Sequence, residues 1–159
     1  MKRIIITLIT LSLIVFCPIT TSNAAVIRQH SIEYLTDGSY YETTITTNDF
    51  HSYSLIRTAS LTRSANKTTT YTSSSGAKLW SVTVTGNISY VKGKSSKCTS
   101  SSVSAVSYSA SWKISNKSSS KSGNTATASA TVLQYSGARP VNSVTRKVSL
   151  TCDVNGNLS

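Results

Sequence analysis

The chain is short of acids. Five Asp and Glu stand against 16 Lys and Arg, and no carboxylate at all occurs from Ser54 to Thr151. Hydrolysis by a pair of carboxylates would therefore have to draw on the stretch from Glu33 to Asp49, because Asp153 is the only other acid. Histidine is scarcer still. His30 and His51 both belong to the acidic N-terminal part. With no G-x-S-x-G elbow in the chain, the many serines carry no sign of an acyl-transfer triad. No P-loop or Rossmann glycine pattern occurs, and no cluster of ligand residues suits a metal. These absences argue against an enzyme; no catalytic residue, metal or cofactor is assigned. Leu and Glu are sparse and proline occurs twice, a mix that disfavours helix.

What is present begins with a leader. Met1-Lys2-Arg3 precedes an apolar run from Ile4 to Phe16, then Pro18 and the small residues Ser22-Asn23-Ala24. A basic start, a short apolar core and a small-residue exit describe a secretory signal peptide, with cleavage expected after Ala24. The run is too short to span a bilayer comfortably, and no second one follows. Phe16 before Cys17 does not suit a lipobox. No sorting motif or apolar tail precedes Ser159, so a secreted, extracellular protein without a wall anchor is expected. Removing Lys2 and Arg3 lowers the formal charge from +11 to about +9. Cys98 and Cys152 remain. In an oxidising compartment an even pair implies a disulfide, and two ligands are too few for a structural zinc. Closing a loop of about 54 residues would add roughly 4 kcal/mol by the chain-entropy estimate.

The apolar pattern has a period of two. In the stretch Lys78 to Cys98, Trp80, Val82, Val84, Ile88 and Tyr90 alternate with small polar residues, the mark of a half-buried strand that turns at Lys92-Gly93. Val106, Tyr108, Ala110, Trp112 and Ile114 alternate in the same way and predict a second such strand. Ala126, Ala128, Ala130 and Val132 predict an inward face of small residues, fitting a bulky Trp80 or Trp112 opposite. Val148, Leu150 and Cys152 share a face of the last strand. Thr68 to Thr72 predicts a strand closed by the turn Ser73 to Gly76, with an earlier short one around Leu55-Ile56 and Leu61. Asn116 to Asn124 reads as a polar loop, and Asn155-Gly156 as a turn rather than a calcium loop. Near the mature start, Asp37-Gly38 between β-prone flanks predicts a tight primed hairpin. Ile32 and Tyr34 would then share a face with Tyr41, Thr43 and Ile45. The expected fold is all-β: a small antiparallel, Ig-like β-sandwich preceded by an N-terminal β-hairpin, with a small β-barrel as the alternative. Residues 1–24 form the leader, 25–53 the acidic hairpin and a linker from Asn48 to Tyr53, and 54–159 the basic sandwich.

A body so one-sided in charge attracts polyanions through a long-range, salt-sensitive field. Lys92, Lys94 and Lys97 gather around one hairpin tip, and Lys113, Lys117 and Lys121 flank one loop. These six are the candidate anion-binding residues. The expected partner is an anionic polymer such as a wall polymer, a glycan or nucleic acid. The alternative is a secreted protein-interaction or effector module in which the acidic hairpin meets a partner or covers the sandwich edge. Aromatics interleaved with cations also suit nucleic acid, but alternation turns Tyr90 and Tyr108 inward.

Several stretches together carry a resemblance: Asp37-Gly38-Ser39-Tyr40, the run from Leu79 to Gly86 (LWSVTVTG), Ser96 to Thr99 (SKCT), Ser122 to Ala126 (SGNTA), and the ending from Leu150 to Ser159 (LTCDVNGNLS). In these the chain resembles a family of small secreted proteins of Firmicutes, especially of gut clostridia. It departs at Asn87-Ile88 and Val91-Lys92-Gly93, where such relatives tend to carry a Phe and an Asn-Gly turn. The resemblance implies a Gram-positive secreted protein and transfers no activity.

Overall fold

The computed structural model describes residues 26–47 and 60–159. The leader and its cleavage site, the Asn48 to Tyr53 linker, His51 and the Leu55-Ile56 strand lie outside the described residues.

Among the described residues, eight antiparallel strands form two sheets. β1 (Val26–Tyr34), β2 (Tyr40–Thr47), β3 (Leu61–Thr72), β4 (Lys78–Val91) and β5 (Ser95–Ser107) make the first, in that order. β6 (Trp112–Ser122), β7 (Thr125–Ser136) and β8 (Arg139–Thr151) make the second. The expected all-β antiparallel sandwich is present, and it is not closed into a barrel. Among the described residues each strand pairs only with its sequence neighbours and the sheets are joined once, from β5 to β6, without the Greek-key crossings of immunoglobulin domains. β2 pairs with β3 along its whole length, which makes the acidic hairpin the outer edge of the larger sheet.

The long alternating strand matches β4. Trp80, Val82, Val84 and Ile88 are fully buried, facing Ala126, Ala128, Ala130 and Val132 of β7 and Val148 and Leu150 of β8. Burying each Val, Leu or Ile side chain contributes about 1.5–3 kcal/mol. At one end Tyr41, Tyr71, Trp80 and Trp112 stack with ring centroids 5.1–6.3 Å apart. Further along, small residues let the sheets close. A Cβ at Gly86 would lie 2.9 Å from the Cβ of Ala126 and 3.2 Å from Leu150 Cδ2.

Three expectations are corrected. The run from Val106 to Ile114 is not one strand. β5 ends at Ser107, a turn follows in which Trp112 N–H donates to Ser109 O (3.1 Å), and Trp112 opens β6 in the other sheet. A register shift opposite Asn87/Ile88 also changes which β5 residues face inward. Val103 and Ala105 pack on the core, whereas Val106 and Tyr108 are exposed. Secondly, Asn116 to Ser122 is not a loop but the second half of β6. It is an exposed edge strand, and serines alternating with serines leave no period to read. Thirdly, the Asp37-Gly38 hairpin turns through three residues, Thr36 to Gly38, with Leu35 N–H donating to Ser39 O at 2.8 Å. Only Gly38 takes a positive φ, +80°. The extra turn residue slips the register by one and pairs Ile32 with Glu42. Ile32 and Tyr34 therefore lie on the exposed face, away from Tyr41 and Ile45.

Candidate functional site

The β4–β5 tip, the β6–β7 turn and the C-terminal loop meet at one end of the sandwich. Gly93 N–H donates to Val154 O (2.9 Å), tying the tip to the loop. The loop is the expected Asn-Gly turn: Gly156 has φ +85°, and Gly156 N–H donates to Asp153 O. Asp153 Oδ1 accepts from the Asn155 and Asn157 amides, and Oδ2 from Asn157 Nδ2, each at 2.8 Å. These bonds, the Asn157 side chain foremost, lower the Asp153 carboxyl below its ordinary value. Arg63 Nη1 donates to Gly156 O from the β3 side.

Lys92 and Lys94 project from the tip into solvent, and Lys97 leaves the outer face of β5 close by. Lys121 joins this end, its ammonium donating to Thr99 O, two residues from Lys97. Lys117 shares the inward side of β6 with Lys121, because both stand opposite inward-facing alanines, Ala130 and Ala126. Lys113 does not join them. A bulge between Ile114 and Asn116 puts it on the opposite face, with its ammonium 4.7 Å from the Tyr135 ring centroid. The expected trio is therefore split, and the basic end consists of Lys92, Lys94, Lys97 and Lys121.

Cys98 and Cys152 are both buried, and the structure holds them as separate thiols, so the expected bond is not formed in it. Each turns along its own segment, Cys98 Sγ to Ser100 O (3.2 Å) and Cys152 Sγ to Asp153 O (3.5 Å). Burial pushes both thiols above their ordinary pKa. Their backbones nevertheless converge. Cys98 N–H donates to Gly123 O (2.8 Å) and Cys152 N–H to Asn124 O (3.2 Å), successive carbonyls of one turn.

A second concave feature had no sequence signal. The smaller sheet is offset: β6 lies over β5, β7 over β5 and β4, and β8 over β4 and β3, so β1 and β2 extend past it. Between this overhang and β8 runs an open trough of about 650 Å³. Its floor carries Ser31 and Glu33 from β1, Tyr41 and Thr43 from β2, and Lys67 and Thr69 from β3; its wall is β8 from Arg146 to Ser149. Arg146 reaches across one end, its Nη2 3.0 Å from Glu33 Oε2 and its guanidinium carbon 4.1 Å from the Tyr41 ring centroid. A smaller continuation, also reaching Lys67, passes Thr43 and Ile45 to Gln29, whose Nε2 donates to Leu158 O (3.0 Å). Lys67 is half-buried, and desolvation lowers its pKa from the ordinary 10.5. Among the described residues it has no carboxylate partner.

The fold and these two surfaces define an antiparallel β-sandwich protein with a basic end and a cation-lined trough. No protein-family model, curated protein or solved structure matches the chain.

Proposed function

We propose that the protein works outside the cell as a non-enzymatic binding module for anionic polymers, which it meets with the basic end formed by Lys92, Lys94, Lys97 and Lys121. The observation that carries this reading is the local charge balance. Four ammonium groups stand at that end against one described side-chain carboxylate, Asp153, which is hydrogen-bonded by Asn155 and Asn157 and, among the described residues, forms no ion pair with any of the four. Lys92, Lys94 and Lys97 have no ion-pair partner among the described residues. They stay available to phosphate, sulfate or carboxylate on an extended chain. The secretory leader and the resemblance to secreted Firmicutes proteins point to the envelope or a host surface as the place of action. His30 lies on the exposed face of β1, hydrogen-bonded to Glu42 at 2.8 Å, and serves no nucleophile there.

Oxidation accompanies this reading. Cys98 and Cys152 flank one turn, and joining them gives up two protons and two electrons to an external disulfide oxidant such as oxidised glutathione. The bond would fasten β5 to the end of β8 beneath the basic surface.

The test is retention on immobilised heparin, compared with the variant Lys92→Ser/Lys94→Ser/Lys97→Ser. The reading expects wild type to bind at low salt and the variant to elute much earlier. Equal elution of the two would remove the basic end from the account.

A further inference from the structure

The offset of the sandwich leaves one strand position open. Among the described residues β8 pairs with a strand, β7, on one side only. Its other edge is closed at the end, where Thr151 exchanges backbone hydrogen bonds with Ser159. Before that point alternate residues turn N–H and C=O outward without a strand partner. Four consecutive residues, Arg146 to Ser149, border the trough. Successive side chains of a strand leave in opposite directions, so four in a row line a groove through the strand's edge. The next position in that layer lies about 4.8 Å beyond β8 and about 10 Å above the floor. The floor below it carries Lys67, Thr43 and Thr69.

We propose that this trough receives an extended, carboxylate-bearing peptide segment of a partner protein, which pairs with β8 as a fourth strand and sets an acidic side chain on Lys67. Strand addition supplies affinity through main-chain hydrogen bonds, and pockets for alternate side chains supply specificity. The charge of the trough selects the partner. Lys67 and Arg146 face it and Lys147 stands on its rim, against Glu33 as its single carboxylate among the described residues. Arg146 Nε is buried and has no acceptor among the described residues. The half-buried Lys67 ammonium lacks a counter-ion among the described residues and is stranded in a partly desolvated place, where an opposite charge is worth more than at the surface. Glu33 shows in cis what the trough attracts: a carboxylate, 61 % exposed, held by Arg146. An incoming acid competes with it. A glycan or polyphosphate cannot form the strand ladder, so this inference is independent of polymer binding at the basic end.

The probe is a capped eight-residue peptide alternating Val and Glu. It is compared with a Val–Lys counterpart and with the same Val–Glu peptide N-methylated on the nitrogens of one edge. Binding is followed by titration and by amide hydrogen exchange. The Val–Glu peptide is expected to slow exchange at alternate β8 amides between Thr145 and Leu150, and the other two peptides are not. Lys67→Met is expected to weaken binding roughly tenfold or more, the loss of a charge-assisted contact, and Lys67→Arg to keep most of it. Glu33→Gln is expected to strengthen binding, because it removes the competing acid. Unchanged β8 exchange at millimolar peptide would overturn the proposal. Equal binding of the N-methylated peptide would reduce it to plain charge attraction and overturn it too. A concentration-dependent dimer that protects the same β8 amides would make a second copy the occupant, with the same consequence. Heparin retention is unaffected by Lys67→Met in either case, so this inference and the polymer reading fail separately.

Discussion

Replacing Gly86 with alanine sets two effects of opposite sign against each other. Gly86 sits mid-strand in β4 with no positive φ. On backbone grounds alone, alanine there reduces unfolded-state entropy and stabilises by about 0.4–1 kcal/mol. Packing opposes this. The new Cβ would stand 2.9 Å from the Ala126 Cβ and 3.2 Å from Leu150 Cδ2. Ala126 has no rotamer to change, so relief requires one sheet to move from the other. Overpacking of a filled core typically costs about 1–3 kcal/mol. The net expectation is destabilisation by roughly 0.5–2 kcal/mol, or a melting temperature lowered by about 2–8 °C for a domain of this size. Urea unfolding followed by the fluorescence of Trp80 and Trp112 measures it. The double variant Gly86→Ala/Ala126→Gly moves the methyl from one sheet to the other and is expected to recover most of the loss. That gives a coupling of about 1 kcal/mol in the double-mutant cycle. A Gly86→Ala protein more stable than wild type, or a coupling near zero, would refute the close approach of β4 and β7.

Three further outcomes follow from the same structure. Under oxidised glutathione, Cys98 and Cys152 are expected to join, making the protein lighter by two hydrogens and more stable by up to about 4 kcal/mol; alkylation of both thiols after such treatment would exclude the bond. Asp153→Asn is expected to lower the melting temperature at neutral pH. Because hydrogen bonding depresses the folded carboxyl below the ordinary 3.8, the stabilisation is complete above that value and disappears as pH falls through the lower folded one. The gap between variant and wild type should therefore narrow as the solution is acidified below 3.8, and a gap that stays constant or widens on acidification would contradict this. Lys67→Met is expected to stabilise the free protein by a few tenths to about 1 kcal/mol at neutral pH, since it removes a desolvated charge without a partner. That gain should fade as pH rises from the lowered folded value towards the ordinary 10.5 and be gone above it, where both folded and unfolded chains have lost the proton. Destabilisation instead would mean that Lys67 serves the fold.

Legibility tracked how completely a strand is covered. β4 is an interior strand of the larger sheet, paired on both sides and with the second sheet over it, so its period of two runs unbroken from Trp80 to Ile88. β7 is covered alike and reads as clearly through Ala126 to Val132. β6 is an edge strand exposed from Ser115 to Ser122, and its serines carry no alternation to detect. The Val106 to Ile114 pattern misled because Ser107 and Trp112 belong to different sheets, and their apolar neighbours continue the period by coincidence across the turn. In the N-terminal hairpin one added turn residue inverted the faces, a detail that the Asp-Gly pair does not specify. The basic tip was visible because Lys92, Lys94 and Lys97 are local in sequence. The trough was not, because it brings Glu33 to Arg146 across 113 residues and rests on the offset of two sheets. Lys113 was misplaced by a single bulge.

The functional claim rests on long-range attraction between the basic end and a polyanion, and salt tests that directly. Wild-type affinity for soluble heparin should fall linearly on a log–log plot as salt rises from about 50 to 300 mM, with a slope that reflects the handful of ammonium groups engaged. Binding that is absent at the lowest salt, or that does not change across the series, would contradict the account.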